Sequence, residues 1–457
     1  MSAATSEPSA TRPRRPFDES FDVAIVGGGP AGATTAARLR QLGRTVVVLE
    51  RERFPRFHIG ESLLPSSAPI LRSLGLEGEL DGRFLRKYGA RFLDDDLGPG
   101  GGVSSSASYR FDEAFPPAIP YAWQVPRDEF DLLLLGRARA LGADVREGWR
   151  ALSVVRDGAQ VVGLEAVSPN GELRVIGAKV VVDAAGREGL LTRARSRSRV
   201  PGLDKTAIFT HVVGGARNEG RDAGQIELTI LAGRDETGSV PGWAWLIPFK
   251  DGRASVGFVL SSDVVGRRAA DAPSLASDAG PARSAERGGD RLAAMFDAEV
   301  ARSPWMSRLL EGSTRSGPVR AAADYSFRVD RLAGDGWLAV GDAAGFLDPL
   351  FSTGAHLAMG GAERAAAAID AALTAGDVSE GAFVAFERAM RTAVDLFLGA
   401  VQSFYRGELR ELLFARDQRA VLRKLVTSML AGDVFHDDGD AARWVGFFRE
   451  RFPVTHG

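Results

Sequence analysis

The chain reads as an α/β protein: a Rossmann-like parallel sheet with a β-meander, an inserted antiparallel sheet and a helical C-terminal region. Three observations carry that reading. A glycine-rich turn, Gly27-Gly28-Gly29-Pro30-Ala31-Gly32, sits between a strand pattern and a helix pattern. Short apolar runs of the parallel-strand type recur at 21–26, 45–49, 179–183 and 337–340, far apart in sequence. Between the last two, residues 205–260 alternate in strand fashion, as an antiparallel sheet does.

Each element follows in order. Residues 21–26 form a buried strand, 30–42 a helix, and 45–49 a second strand that ends at Glu50. Residues 66–80 are expected to be helical. Residues 94–120 are rich in Gly, Ser and Pro, which predicts loops or irregular β-structure. A helix starts at Arg127 and runs to about 141. Residues 154–180 hold two or three strands, with turns at Asp157-Gly158 and Asn170-Gly171, and 179–183 returns to the parallel sheet. Residues 263–291 are poor in hydrophobics and rich in Ala, Asp, Arg and Gly, which predicts a mobile linker. Residues 354–375, 380–416 and 418–431 are mainly helical, and there is no internal repeat. The expected organisation is a disordered leader at 1–19, a nucleotide-binding domain in two parts (20–200 and 331–376), a substrate domain inserted at 201–330, and a helical region at 377–457. A contiguous nicotinamide dehydrogenase domain would not be split in this way.

A chain of 457 residues is long enough for two or more lobes. The formal net charge of −2 gives no electrostatic case for nucleic acid. There is no cysteine, which excludes a disulfide scaffold, a thiolate zinc site, an iron–sulfur cluster and a catalytic thiol. Redox chemistry would therefore come from a bound cofactor. The five histidines show no metal-ligand spacing, so no metal site is expected. The first 16 residues lack the apolar core of a signal peptide. No run reaches the ~18–20 apolar residues of a spanning helix. The expectation is a cytoplasmic protein without stable membrane insertion.

The glycine turn has a mechanism. Gly27 permits the tight turn, Gly29 lets the backbone approach a pyrophosphate, and Gly32 lets the helix pack closely on the strand. Pro30 and Ala31 belong to the same turn. The helix N-terminus adds amide donors and a positive partial charge. Glu50 lies 18 residues beyond Gly32, where a carboxylate takes a ribose hydroxyl pair, and Arg51 follows it. No second such fingerprint is flanked by a strand and a helix, so a dedicated NAD(P)H domain is not expected.

Further motifs narrow the chemistry. Val182-Asp183-Ala184-Ala185-Gly186-Arg187 ends a strand in a glycine turn, and Gly341-Asp342 follows another strand. Asp342 equally suits a helix N-cap. Arg127 stands at a helix start. In Asp348-Pro349-Leu350-Phe351-Ser352-Thr353-Gly354-Ala355, small residues lead into a helix, so exposed amides there form an anion nest. Lys87 follows Arg86; in an apolar cavity its pKa would fall, and in solvent it would be an ordinary surface charge. Trp243 and Trp245 lie two apart on a strand, where they would also suit an aromatic core. The segment 54–65 contains His58, Glu61 and Ser62. The two titratable residues could act as acid or base, although His58 and the later His356 also suit packed structural positions.

These motifs together resemble the flavin-dependent halogenases, a branch of the tryptophan-halogenase-like FAD monooxygenase superfamily. The resemblance rests on 54–65, on Trp243-Ala244-Trp245-Leu246-Ile247-Pro248, on Gly341-Asp342 and on 348–354. It covers about 20–435 and is closer to the halogenases of phenols and pyrroles, many acting on carrier-tethered substrates, than to those of free tryptophan. It implies the FAD-binding fold of aromatic hydroxylases, with Gly27, Gly29, Pro30, Ala31, Gly32, Glu50, Arg51, Ser62, Arg127, Asp183, Gly186, Asp342, Pro349, Gly354 and Ala355 at the cofactor. It implies halide at Ser352, Thr353 and Gly354, and Lys87, Trp243 and Trp245 as the catalytic set. Ala355 departs from the β-branched residue that many members carry. The implied reaction uses FAD reduced by a separate NAD(P)H flavin reductase, oxygen, and chloride or bromide. A flavin hydroperoxide yields hypohalous acid, which reaches Lys87 and halogenates a small electron-rich aromatic, free or on an acyl or peptidyl carrier protein. The alternatives of the same fold are a monooxygenase or dehydrogenase acting without halide, a prenyl-chain reductase, and a non-catalytic flavoprotein scaffold.

Overall fold

The structure is a computed structural model that describes residues 16–98, 106–192, 197–233, 235–236, 239–271, 281–323, 326–415, 420–435, 446 and 448–454. At its centre, strand Glu19–Val26 pairs in parallel with Val46–Glu50 on one side and Leu173–Asp183 on the other. Asp144–Glu147 and Trp337–Ala339 extend this sheet in parallel on its two sides, and Ala333–Gly334 pairs antiparallel beyond the latter. Val23 to Ile25 and Val47 to Val48 are fully buried, because a parallel sheet is covered on both faces; that is why these strands read as unbroken apolar runs. Helix Pro30–Gln41 packs against helices Arg127–Ala140 and Thr353–Ala375.

The expected meander is present: Arg150–Asp157 and Gln160–Val167 lead antiparallel into Leu173–Asp183. The leader expected at 1–19 falls mostly outside the described residues. Residues 1–15 lie outside the described residues, and Asp18 already donates its N–H to Val175 O at 2.8 Å.

A second sheet stands apart from the first. Lys205–Val213, Arg253–Ser261, Gly242–Pro248 and Ile226–Ile230 run antiparallel to one another in that order. Gly89–Asp94 then joins Ile226–Ile230 in parallel, and Ser106–Arg110 pairs with it. The region read as loops or irregular β-structure therefore supplies an outer strand, and the sheet reaches further up the chain than 201–330. Its side chains alternate Ser, Ala and Tyr without a long apolar run, which hides an outer strand from periodicity.

Two other expectations change. The helix expected at 66–80 is broken into Pro65–Ser67, Ala68–Ser73 and Glu77–Arg83, with Gly75 at φ +74 between the last two. The linker expected at 263–291 is bracketed by helices Ser262–Asp271 and Pro281–Arg302, while 272–280 lie outside the described residues. The second helix is anchored beyond the stretch that composition flagged, by Phe296 against Phe258 at 5.4 Å. The C-terminal region is helical as expected, through Val384–Tyr405, Glu408–Leu413 and Ala420–Leu430. No helix among the described residues is long and apolar enough to cross a membrane.

Candidate active site

A cavity of about 670 Å³ opens at the C-terminal ends of the parallel strands and runs to the second sheet. That is where open α/β sheets bind ligands. Gly27, Gly29, Pro30, Ala31, Glu50 and Arg51 line its first end; Trp243, Trp245, Pro349, Ser352, Gly354 and Ala355 line the other.

The first end is a cradle that side chains would fill. Gly27 sits at φ +103, and a Cβ there would lie 2.3 Å from Ala184 O. Gly32 is not on the cavity wall; its Cβ would lie 1.9 Å from Gly27 O, so it brings helix and strand together. The buried Glu50 carboxylate accepts from Gly28 N at 2.7 Å and from Glu52 N at 2.8 Å, which fixes it at the rim. Arg51 is half exposed and pairs with Glu188.

The two aspartates differ. Asp183 is fully buried and is not on the cavity wall. Its carboxylate accepts from Leu190 and Leu191 N–H at 2.7 Å each, and from Ala185 N–H at 3.2 Å. It closes the 184–191 turn and so presents Gly186 to the cavity, rather than reaching a ligand itself. Asp342 does line the cavity, in the turn Gly341–Ala343, and its carboxylate accepts no hydrogen bond from the described residues. Burial raises its pKa, and the charges of Arg127 and Arg187 oppose that. Arg127 is buried, forks onto Asp131 at 2.7 and 3.0 Å, and donates to Ile59 O at 2.7 Å. It thereby holds the 59–60 bend against the cavity.

At the far end, Pro349–Phe351 form a turn and Ser352 adopts φ 58, ψ 29 before the 23-residue helix Thr353–Ala375. Ser352 is the one non-glycine with positive φ among the described residues. Such a conformation costs of order 1–3 kcal/mol. Right-handed then left-handed backbone aims successive N–H groups into one concavity, at a helix N-terminus whose first amides lack helical partners. Thr353 is buried behind this turn, while Ser352 and Gly354 face the cavity.

The tryptophan strand is fixed from behind. Trp243 Nε1 donates to Tyr405 Oη at 3.1 Å, and Tyr405 donates to Asp348 Oδ2 at 2.7 Å. Asp348 Oδ1 accepts from Leu350 N at 3.0 Å. One buried chain of bonds therefore links the indole to the turn before Ser352. Trp245 Nε1 donates to Ser255 Oγ at 3.1 Å, and the two indole centroids lie 5.7 Å apart.

Lys87 is buried in the wall beside this chamber. Its Nζ donates to Ser62 Oγ at 2.9 Å and to Leu63 O at 3.2 Å, and lies 5.3 Å from the Phe111 ring centroid. Among the described residues no carboxylate is paired with it, and burial lowers its pKa to about 7. Ser62, expected at the cofactor, is the cavity-lining residue through which Lys87 reaches the cavity.

Three features escaped the sequence. Tyr405 lies on a helix 162 residues from Trp243. Glu61 pairs with His211 at 2.9 Å across 150 residues. Asp183 turns inward. Only Glu61 carried a signal, its place in the 54–65 segment. His58 lines the cavity; burial first, and Arg127 next, lower its pKa to about 4, so it is neutral. His356, in the first turn of the long helix, is buried with its Nδ1 at 3.0 Å from Ser67 Oγ.

One cavity thus runs from a glycine cradle of the dinucleotide-binding type to an aromatic chamber against the second sheet. Comparison with known proteins gives the family: the chain matches the tryptophan halogenase family over residues 22–94 and 106–423, and it belongs to that family. It is 32% identical to the flavin-dependent halogenase armH3 of Armillaria mellea over 399 residues, which is 85% of this chain and 74% of that one. It is 33% identical over 362 residues to the 1H-pyrrole-2-carbonyl-[peptidyl-carrier protein] brominase of Pseudoalteromonas luteoviolacea, 79% of each chain. The solved structure of the flavin-dependent brominase Bmp2 matches with a TM-score of 0.78 at 27% identity, over 94% of this chain and 99% of that one. The protein is a flavin-dependent oxidoreductase of the halogenase type.

FAD is the cofactor that this membership implies, and the residues fit it. The glycine cradle admits a backbone-close pyrophosphate. Asp342 offers the cavity an acceptor with no hydrogen-bond donor on it among the described residues, which suits a ligand hydroxyl.

Proposed function

We propose that the protein installs chlorine or bromine on a small electron-rich aromatic, a phenol or a pyrrole, presented as the acyl group of a carrier protein. FAD would be held by Gly27, Gly29, Pro30, Ala31, Glu50, Arg51, Arg127, Gly186, Asp342, Pro349, Gly354 and Ala355, and delivered reduced by a separate flavin reductase. Bound reduced FAD supplies the oxygen activation that makes the halide an electrophile. The remaining work belongs to the chain. The nest at Ser352, Thr353 and Gly354 offers N–H donors to an anion. Trp243 and Trp245 fill the space beside that turn and keep the organic substrate from the cofactor. Lys87 acts on hypohalous acid through Ser62, whose hydroxyl accepts from the amine and donates to the acid's oxygen in the cavity. The cytoplasm is the compartment this reading assigns.

The observation that carries the proposal is Lys87. A fully buried amine, with no counter-charge and a pKa near 7, suits a donor that must not be locked in an ion pair. The carrier-bound acyl group is supported by the brominase relative, whose name specifies a pyrrole-2-carbonyl group on a peptidyl carrier protein. The test compares free pyrrole-2-carboxylate with the same acyl group on a phosphopantetheinylated carrier, with reductase, NADH and bromide. Turnover of the carrier-bound form alone is expected. Equal turnover of the free acid would remove the carrier from the proposal.

A further inference from the structure

The pair formed by Glu61 and His211 joins two parts of the site. Glu61 is buried, at 3% exposure, and lines the cavity. Its Oε1 lies 2.9 Å from His211 Nε2. His211 is itself fixed: its strand registers it opposite Ser255, the residue that accepts from Trp245 Nε1. Its ring sits against Phe57 at 5.9 Å and Phe249 at 5.5 Å. On the other side, Glu61 is the chain neighbour of Ser62, whose hydroxyl accepts from Lys87. The carboxylate thus lines the cavity one residue along the chain from the hydroxyl that meets the amine, and is tied by His211 to the sheet that carries the tryptophans.

A buried carboxylate that lines a ligand cavity and is oriented by a histidine from another element has the construction of a general base. The backbone of 59–63 is held without the carboxylate, by Arg127 on Ile59 O, Val125 N on Glu61 O and Leu63 N on Trp123 O, while the Glu61 charge also acts on the buried Arg127 guanidinium.

We propose that Glu61 is the base that removes the ring proton in the substitution, and that His211 is the positioning residue that orients it. This rests on the proposed halogenation. The balance is as follows. The ring's π-electrons form the C–X bond as the X–O bond of hypohalous acid breaks. The departing hydroxide takes the Ser62 hydroxyl proton and leaves as water, and Ser62 takes one from Lys87 in its place. Glu61 takes the proton from the tetrahedral ring carbon, and the C–H electron pair restores aromaticity. Glu61 then loses its proton to solvent past His211, whose side chain is 15% exposed, and Lys87 regains one. The sum is ring-H plus hypohalous acid to ring-X plus water.

The test uses Glu61→Gln and His211→Gln in the full chain with FAD, reductase, bromide, a substrate that the wild type brominates, and its ring-deuterated form. Free hypobromous acid is trapped with a β-diketone. In Glu61→Gln the ratio of brominated substrate to trapped acid should fall by about a hundredfold, the usual scale of a general base. The residual product should show a primary deuterium isotope effect that the wild type lacks, a ratio that a general folding defect would not create. His211→Gln should shift both readouts in the same direction by less. A wild-type ratio with no isotope effect in both variants would overturn the role of Glu61 while leaving halogenation in place. A wild type that makes no brominated product would overturn the parent reading, and this one with it.

Discussion

Lys87 and Ser62 meet at 2.9 Å, and the backbone around them explains why. Lys87 ends strand Leu85–Lys87, which pairs antiparallel with Ala122–Gln124. Ser62 forms a bridge to Gln124 on that ribbon, beside Leu63 N–H on Trp123 O at 3.0 Å. The 54–65 segment is therefore zipped to the strand that pairs with the lysine's own, and it holds the amine by the Ser62 hydroxyl and the Leu63 carbonyl.

Burial of Lys87 makes stability depend on pH with a definite sign. The unfolded chain holds the Lys87 proton up to about pH 10.5, and the folded chain only up to about 7. Between those values unfolding takes up a proton, so this group's contribution to stability rises with pH. Lys87→Met should melt higher than wild type at pH 6, by a difference worth roughly a few kcal/mol. The gain should shrink as pH rises from 7 toward 10. Melting curves of both proteins across that range check it; a pH-independent difference would show that the amine is not desolvated.

Gly27→Ala should abolish flavin binding. Its Cβ would sit 2.3 Å from Ala184 O, at a φ that disfavours alanine. Absorbance of the purified protein near the flavin bands, and titration of the apoprotein with FAD, measure the loss. Normal FAD content would contradict the cradle.

Gly257 is a glycine because Trp245 lies over it. A Cβ there would come within 2.3 Å of Trp245 Cη2 and 2.7 Å of Phe209 Cβ. Gly257→Ala should lower stability by about 1–3 kcal/mol through overpacking, and should push the indole off Ser255 Oγ and into the cavity. A shift in tryptophan emission with a raised KM for the aromatic substrate is the expected pair of readouts.

Tyr405→Phe removes the hydroxyl that joins Trp243 to Asp348. It leaves a buried carboxylate oxygen and an indole N–H without that partner, at a cost of about 1–3 kcal/mol. Chemical denaturation should show the loss. Bromide dependence should weaken as well, because Asp348 also accepts from Leu350 N–H in the turn before Ser352.

What the sequence conveys here depends on how local the cause is. The turn at 27–32, the paired indoles and the helix start after Ser352 were legible, because each is set by residues within one turn or one strand. The Asp183 carboxylate was not, since nothing in Val182-Asp183-Ala184 reveals that the chain returns at Leu190 to donate to it. The Glu61–His211 and Trp243–Tyr405–Asp348 links span 57 to 162 residues and exist only once two lobes are packed. The outer strand Ser106–Arg110 was lost among loops because it lacks the apolar period on which strand reading relies. The long helix Pro281–Arg302 was lost because its anchor, Phe296, falls past the biased stretch.

The most direct measurement is product mass. The enzyme, FAD, a flavin reductase, NADH, oxygen and bromide are incubated with phenols, pyrroles and indoles, free and carrier-bound, beside Lys87→Ala. A bromine isotope doublet that falls by roughly two orders of magnitude or more in the variant is the expected result. A product heavier by one oxygen, formed equally without bromide and unaffected by Lys87→Ala, would contradict it.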